Sequence, residues 1–241
     1  MAPREALLID TFVELTDTMV SEFDVLDFLS GLASRCVELF DVTDAGLMLT
    51  DNDGDMRLAA SSSHRIELLE ILELQHDQGP CPDAFRTGAA VQSPDLLADL
   101  DRWPIFTRAA LDAGFRSATA LPLRLRDDVI GALNLIRTTP GTMPDGDIRA
   151  AQALADVATI GILQHRAMRE SALLSEQLGY ALKSRVAIEQ AKGVIAHHLD
   201  ITTNEAFDVL RSFARTNNRR LVDCAMGVVD RSLDLTILRT P

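Results

Sequence analysis

The chain has 241 residues, room for one or two domains at roughly 100 to 200 residues each, and its 47% hydrophobic content supports a buried core rather than wholesale disorder. No apolar run approaches the ~18 residues of a membrane helix, and a net charge of -13 argues against nucleic acid as a partner of the chain taken as a whole. Acids interrupt the first apolar stretch, MAPREALLIDTFVELTD, and Cys36, Cys81 and Cys224 are too far apart for a CxxC metal site or a disulfide framework. A cytoplasmic protein with buried free thiols is therefore expected.

The first forty residues carry two apolar stripes at helical spacing: Leu8, Phe12, Leu15 and Met19, then Val25, Phe28, Leu32, Cys36 and Leu39. The period then changes. DAGLMLTDNDGDMRLAASSS is two strand-like runs around Asp51-Asn52-Asp53-Gly54, a turn composition that predicts a hairpin. A second pair, RSATALPLRL and VIGALNLIRT, flanks Arg126-Asp127-Asp128, with an irregular crossover of loops and short helices between the two hairpins. This order predicts an α+β domain built on an antiparallel sheet.

From Pro144 onward no strand signal appears. Residues 145–199 lack proline and read as helix, on the order of 80 Å long at 1.5 Å per residue if it passes Gly161, Gly179 and Gly193 unbroken. A break near Gly179 is the alternative, and a helix of that length is a candidate coiled-coil dimer. Beyond it, Thr202 and Glu205 have the spacing of a capping box, Phe207, Leu210 and Phe213 or Ala214 form one stripe, Thr216-Asn217-Asn218 breaks it, and Leu221, Cys224 or Ala225 and Val228 form another. The result is an all-α three-helix unit.

The charge is divided unevenly. Residues 176–231 hold eight basic and seven acidic side chains, a net of +1, which leaves -14 on residues 1–175. Such asymmetry points to different partners for the two halves. No GxGxxG after a strand, GK[ST] loop or GxSxG elbow is present, and adjacent His197 and His198 point to different helix faces, so no catalytic residues and no metal ligands are assigned. His76-Asp77 reads as a solvated loop pair, and Cys81 as a small buried residue in a turn shaped by Pro80 and Pro82, with a redox or cofactor-attaching thiol as the alternative.

Residues 79–137 resemble the GAF sensory-domain family in Gly79-Pro80-Cys81, in the Arg102-Trp103-Pro104 turn and in the paired strands ending GALNL. The resemblance extends over about residues 21–165. It implies a central antiparallel sheet with helices on one face and a small-molecule cavity under the crossover on the other. The NKFDE signature of cyclic-nucleotide-binding members is absent, as is a haem or chromophore context, so cofactors and ligand pocket stay unassigned.

The C-terminal segment resembles the ANTAR family through Ser184-Arg185, Ile188-Glu189-Gln190-Ala191-Lys192-Gly193, Ala206-Phe207, Leu210-Arg211, Asn217 and Leu221, departing from it at Ala196-His197-His198. This implies a three-helix bundle that binds paired RNA stem-loops in a leader transcript and keeps a terminator hairpin from forming. The expected RNA-binding residues are Arg185, Lys192, Gly193, Arg211, Arg215, Asn217, Asn218, Arg219 and Arg220. Cations suit phosphates and asparagines suit base edges. Gly193 costs about 1 kcal/mol of helix propensity relative to alanine, and would leave room either for RNA or for tight packing of a neighbouring helix.

The expected organisation is a GAF-like sensor domain with its N-terminal helix over 1–165, a helical linker over 145–182 and an ANTAR-like domain over 174–235. The expected function is a signal-responsive antitermination regulator, homodimeric, with a possible small-molecule ligand and no membrane association. The alternatives are a protein-interaction and dimerisation module, or a sensor-kinase-related signalling protein without RNA binding.

Overall fold

The computed structural model describes residues 3–20, 24–51 and 53–235. The chain divides into two compact units, Met1–His165 and Arg166–Pro241. In the first unit, both N-terminal stripes form helices, α1 (Pro3–Val20) and α2 (Val25–Leu39), and α2 begins where the Asp24 carboxylate accepts the Leu26 and Asp27 amides. The first hairpin is β1 (Asp44–Thr50) and β2 (Met56–Ser61). Asp51 organises its turn by accepting from the amides of Asp53 and Asp55 and from Arg57 Nε, each at 3.0 Å; Asn52 lies outside the described residues.

The crossover is more ordered than its sequence suggests. It contains α3 (His64–His76), α4 (Pro80–Thr87), a short strand β3 (Val91–Ser93), a 3₁₀ turn at Leu96–Asp99 and α5 (Pro104–Asp112). The Arg102-Trp103-Pro104 turn is tied to α4 at Asp83, whose carboxylate accepts from Arg86, from Arg102 at 2.9 Å and from Trp103 Nε1 at 3.1 Å. The second hairpin follows as β4 (Ser117–Leu125) and β5 (Asp128–Arg137), closed through Arg126 at a φ of 58°.

All neighbours in the sheet are antiparallel, in the order β2-β1-β5-β4-β3. Strand alternation gives it two apolar faces. Ala45, Leu47, Leu133 and Leu135 pack against α1, α2 and the first turns of α6 (Asp145–Leu199), while Met48, Ala120, Ala132 and Ile136 pack against α3, α4 and α5. Helices thus cover both faces, where the family resemblance implies helices on one face and a small-molecule cavity under the crossover on the other. The crossover face is filled by the chain's own Ile66, Leu96, Trp103, Phe106 and Phe115. At Gly131 a side chain is excluded, because a Cβ there would lie 2.0 Å from the Met48 carbonyl oxygen.

Helix α6 passes Gly161, Gly179 and Gly193 without a break. Its last turns join α7 (Thr203–Thr216) and α8 (Leu221–Val229) in the second unit, around a core of Ala187, Ala191, Ile195, Ala206, Leu210, Ala214, Cys224, Ala225 and Val228. All three cysteines are buried free thiols. The capping box at the start of α7 is complete: Thr202 Oγ1 accepts the Glu205 amide and the Glu205 carboxylate accepts the Thr202 amide. Thr202→Ala is expected to cost the bundle about 1 kcal/mol, with Thr202→Ser retaining most of it. Chemical denaturation of the full chain followed by helical signal checks this.

Candidate functional site

In the bundle, the buried stripe of α6 runs through Ala187, Ala191 and Ile195. Lys192 stands at the edge of that stripe facing α7. Its Nζ donates to both Glu189 oxygens at 2.9 and 3.0 Å and lies 6.0 Å from the centre of the Phe207 ring. Together with Asn204 and Asp208 these side chains line a shallow groove of about 350 Å³ between α6 and α7. Arg185 lies two helical turns before Lys192 on the same side of α6. Arg211 lies one turn beyond Phe207 on α7, and Arg215 one turn further. A link of only three residues, 200–202, makes α6 and α7 antiparallel neighbours. Helical spacing thus puts Arg185 on the Lys192 side of α6, and Arg211 and Arg215 on the Phe207 side of α7, while the acids Glu189 and Asp208 line the groove itself.

The cations are not equivalent. Arg185, Arg211, Arg215 and Arg219 are exposed and form no ion pair among the described residues, whereas Arg220 grips Asp223 through both carboxylate oxygens. The two asparagines have local structural work. Asn217 caps α7, its Nδ2 donating to the Phe213 carbonyl at 2.9 Å, and Asn218 takes the left-handed conformation (φ 49°) that ends the helix. Gly193 is exposed on the side of α6 away from the core, and nothing lies within 4 Å of where its Cβ would be. Tight packing of α7 or α8 is therefore not what the glycine serves within this unit.

The first unit holds two features that sequence reasoning missed. One is a groove of about 720 Å³ at the sheet edge, lined by Met56 and Leu58 of β2, Ile71, Leu74 and Gln75 of α3, and Pro82, Phe85 and Arg86 of α4. The other is a buried polar cluster. Glu70 and Glu73 of α3 are fully buried, while Leu68 and Ile71 beside them are 56% and 37% exposed. The Glu73 carboxylate accepts the Cys81 amide at 3.1 Å and Asn134 Nδ2 at 3.2 Å. Burial pushes Glu70 up to about 8; burial and then the Glu70 charge push Glu73 up as well; and burial, followed by both carboxylates, raises the Cys81 thiol. The signal available in the sequence was two acids three apart on a helix shortly before Gly79-Pro80-Cys81, which gives no hint of burial. His76 and Asp77 are exposed, with Asp77 ending α3 and pairing with Arg86 at 2.7 Å.

The GAF domain family model matches residues 24–162 and the ANTAR domain model matches residues 176–229. The arrangement defines a regulatory protein that joins a sensor-type domain to an RNA-binding antitermination domain. The chain belongs to the GAF domain family and carries an ANTAR domain behind it. No curated protein is similar enough to match. Among solved structures, the fold is similar to the GAF domain from Acinetobacter phosphoenolpyruvate-protein phosphotransferase (15% identity, 69% of this chain and 97% of that one, TM-score 0.54). It is also similar to free methionine-R-sulfoxide reductase from Neisseria meningitidis (19% identity, 70% and 95%, TM-score 0.54) and to a domain of a two-component sensor histidine kinase protein from Sinorhizobium meliloti (15% identity, 63% and 99%, TM-score 0.53). These likenesses describe the fold of the first unit. Neither matching family is catalytic, and no helix among the described residues is long and apolar enough to cross a membrane.

Two outcomes follow from the geometry. Gly193→Ala is expected to stabilise the bundle by up to about 1 kcal/mol, because the new methyl meets open space and alanine has the higher helix propensity. Denaturation midpoints of the two chains decide it, a drop in stability being the contrary result. For Glu70, the folded value of about 8 lies above the ordinary 4.5, so between these limits the folded state holds a proton that the unfolded state has released. The contribution of Glu70 to stability is thus fullest below pH ~4.5 and is lost as pH rises towards about 8, so the difference in stability between the chain and Glu70→Gln shrinks over that range.

Proposed function

We propose that the chain is a signal-responsive transcription antitermination regulator, in which the ANTAR bundle of a homodimer binds paired RNA stem-loops and the GAF unit tunes that binding in response to a small molecule. The observation that carries the reading is the set of exposed arginines without ion pairs among the described residues, Arg185, Arg211, Arg215 and Arg219, on the matched ANTAR domain of a chain whose net charge is -13. Cations free of internal partners are the ones available to phosphate oxygens. In this reading Arg185, Lys192, Arg211 and Arg215 follow the RNA backbone along the α6–α7 seam. Asn217, Asn218, Arg219 and Arg220 meet loop bases and flanking phosphates at the α7–α8 turn. The bare helix at Gly193 allows close approach of a second backbone.

Two further features support the dimer and the sensor. Leu182 and Val186 are 66% and 49% exposed, one turn apart on α6, and in line with Gly179 and Gly193 at the spacing of a coiled-coil seam. Two bundles joined in this way gain effective concentration on a two-hairpin target. The groove beside β2, α3 and α4 is large enough for a small molecule at about 720 Å³.

The test is binding of a two-hairpin leader RNA to the full chain over a series of salt concentrations. The double variant Arg211→Glu/Arg215→Glu is expected to keep its helical signal, lose affinity by ~10-fold or more, and reduce the salt slope by about 1.5 to 2. Unchanged affinity and slope would remove this seam from the interface.

A further inference from the structure

The buried cluster of the first unit has the composition of a metal site. Glu70 and Glu73 are three residues apart on α3, so their carboxylates leave the helix on the same side. Cys81 is in the first turn of α4. A carboxylate oxygen from each glutamate and the Cys81 thiol sulfur lie within 4.8 Å of one another, and all three residues are buried. Asn134 of β5 faces them from the sheet, on the crossover side between Ala132 and Ile136.

The two glycines opposite these carboxylates form a cradle. Gly46 of β1 pairs with Asn134, and a Cβ on it would stand 2.4 Å from Glu70 Oε1. Gly79, at a φ of 138°, occupies the equivalent place over Glu73, where a Cβ would come within 2.0 Å of Oε1. The backbone has made room for two carboxylates but supplies only one of them with donors. Among the described residues, both oxygens of Glu70 and the side-chain oxygen of Asn134 are buried without a hydrogen-bond partner. Among the described residues no lysine, arginine or histidine pairs with either glutamate. A buried carboxylate is neutralised by a proton, paired with a cation or bound to a metal, and these two have no cationic partner among the described residues.

We propose that Glu70, Glu73 and Cys81, with the Asn134 side-chain oxygen as a fourth donor, form a binding site for a divalent first-row transition metal. The donor set selects this class. A thiolate beside two carboxylates and an amide oxygen suits Zn²⁺, Fe²⁺ or Co²⁺, whereas Ca²⁺ and Mg²⁺ take oxygen alone. The Cys81 amide and Asn134 Nδ2 serve as the outer shell that fixes the orientation of Glu73. Binding replaces protons: the thiol and any protonated carboxylate lose theirs to the buffer as the metal–ligand bonds form, so affinity rises with pH. Ile71, Leu74 and Pro82, each next in sequence to a member of the cluster, line the neighbouring groove and mark the route in. The site is independent of the RNA reading and stands or falls separately.

The experiment uses the full chain, stripped with a chelator under reducing conditions and titrated with Co²⁺. The expected result is saturable binding of one ion per chain, with visible d–d bands, a thiolate-to-cobalt charge-transfer band and a rise in thermal midpoint. Zn²⁺ should displace the cobalt. Cys81→Ser should abolish the charge-transfer band while Cys224→Ser retains it, and Glu70→Gln should weaken binding 10- to 100-fold or more. A folded wild-type chain that shows no thiolate–cobalt band at millimolar Co²⁺ would overturn the proposal. So would a band that survives in Cys81→Ser. Because the wild-type titration decides by itself, a variant that fails to fold does not leave the question open.

Discussion

Burial of Glu70 and Glu73 beneath the sheet is the constraint around which the crossover half of the GAF unit is arranged. It accounts for Gly46 on β1, whose absent side chain leaves space for one carboxylate, and for Gly79, which leaves space for the other. It accounts for Asn134, a polar residue placed among Ala132, Ile136 and Met48 on an otherwise apolar face. It also explains why Gly79-Pro80-Cys81 has that order. The glycine adopts a φ of 138° beside Glu73, the proline starts α4, and the Cys81 amide is left free to donate back to the carboxylate. Ionised carboxylates so deeply buried cost several kcal/mol unless something compensates them, and burial accordingly raises both Glu70 and Glu73.

The ANTAR unit follows the opposite arrangement, with small residues inside and charge outside. Half of its buried core is alanine, at 187, 191, 206, 214 and 225, which brings the last turns of α6 close to α7 and α8 with little volume between them. The longer side chains are thereby left to the surface. Some of that surface charge is spent internally, as in Arg220 with Asp223 and Lys192 with Glu189. The rest is not, and this division separates candidate phosphate contacts from structural pairs more sharply than any count of basic residues. An exposed ion pair such as Arg220 with Asp223 is worth at most about 1 kcal/mol, so Arg220 can exchange its partner for phosphate at small cost.

Much of the fold was legible in the sequence because it rests on local rules. Stripes at helical spacing gave α1, α2, α7 and α8, Asp51 to Gly54 and the Arg126 turn gave both hairpins, and the capping box at Thr202 and Glu205 marked the start of α7 to the residue. In α3 the pattern misleads. HRIELLEILELQH buries Glu70 and Glu73 and exposes Leu68 and Ile71, because the groups that make burial possible lie on β1, α4 and β5. No window of sequence contains them all. Asn217 and Asn218 were readable as base-edge groups, yet the cap and the left-handed turn alone explain why asparagine stands there. Gly193 was readable as an anomaly, and the structure turns it from a packing question into a surface question.

The account as a whole makes the second unit an RNA-binding surface and the first a sensor acting on it. Ultraviolet crosslinking of the full chain to RNA in cells, with sequencing of the RNA and mapping of the crosslinked peptides, tests this most directly. The account predicts enrichment of leader transcripts that carry two neighbouring hairpins, crosslinked within residues 185–220. Recovery of no RNA above background, or crosslinks confined to residues 1–165, would contradict it.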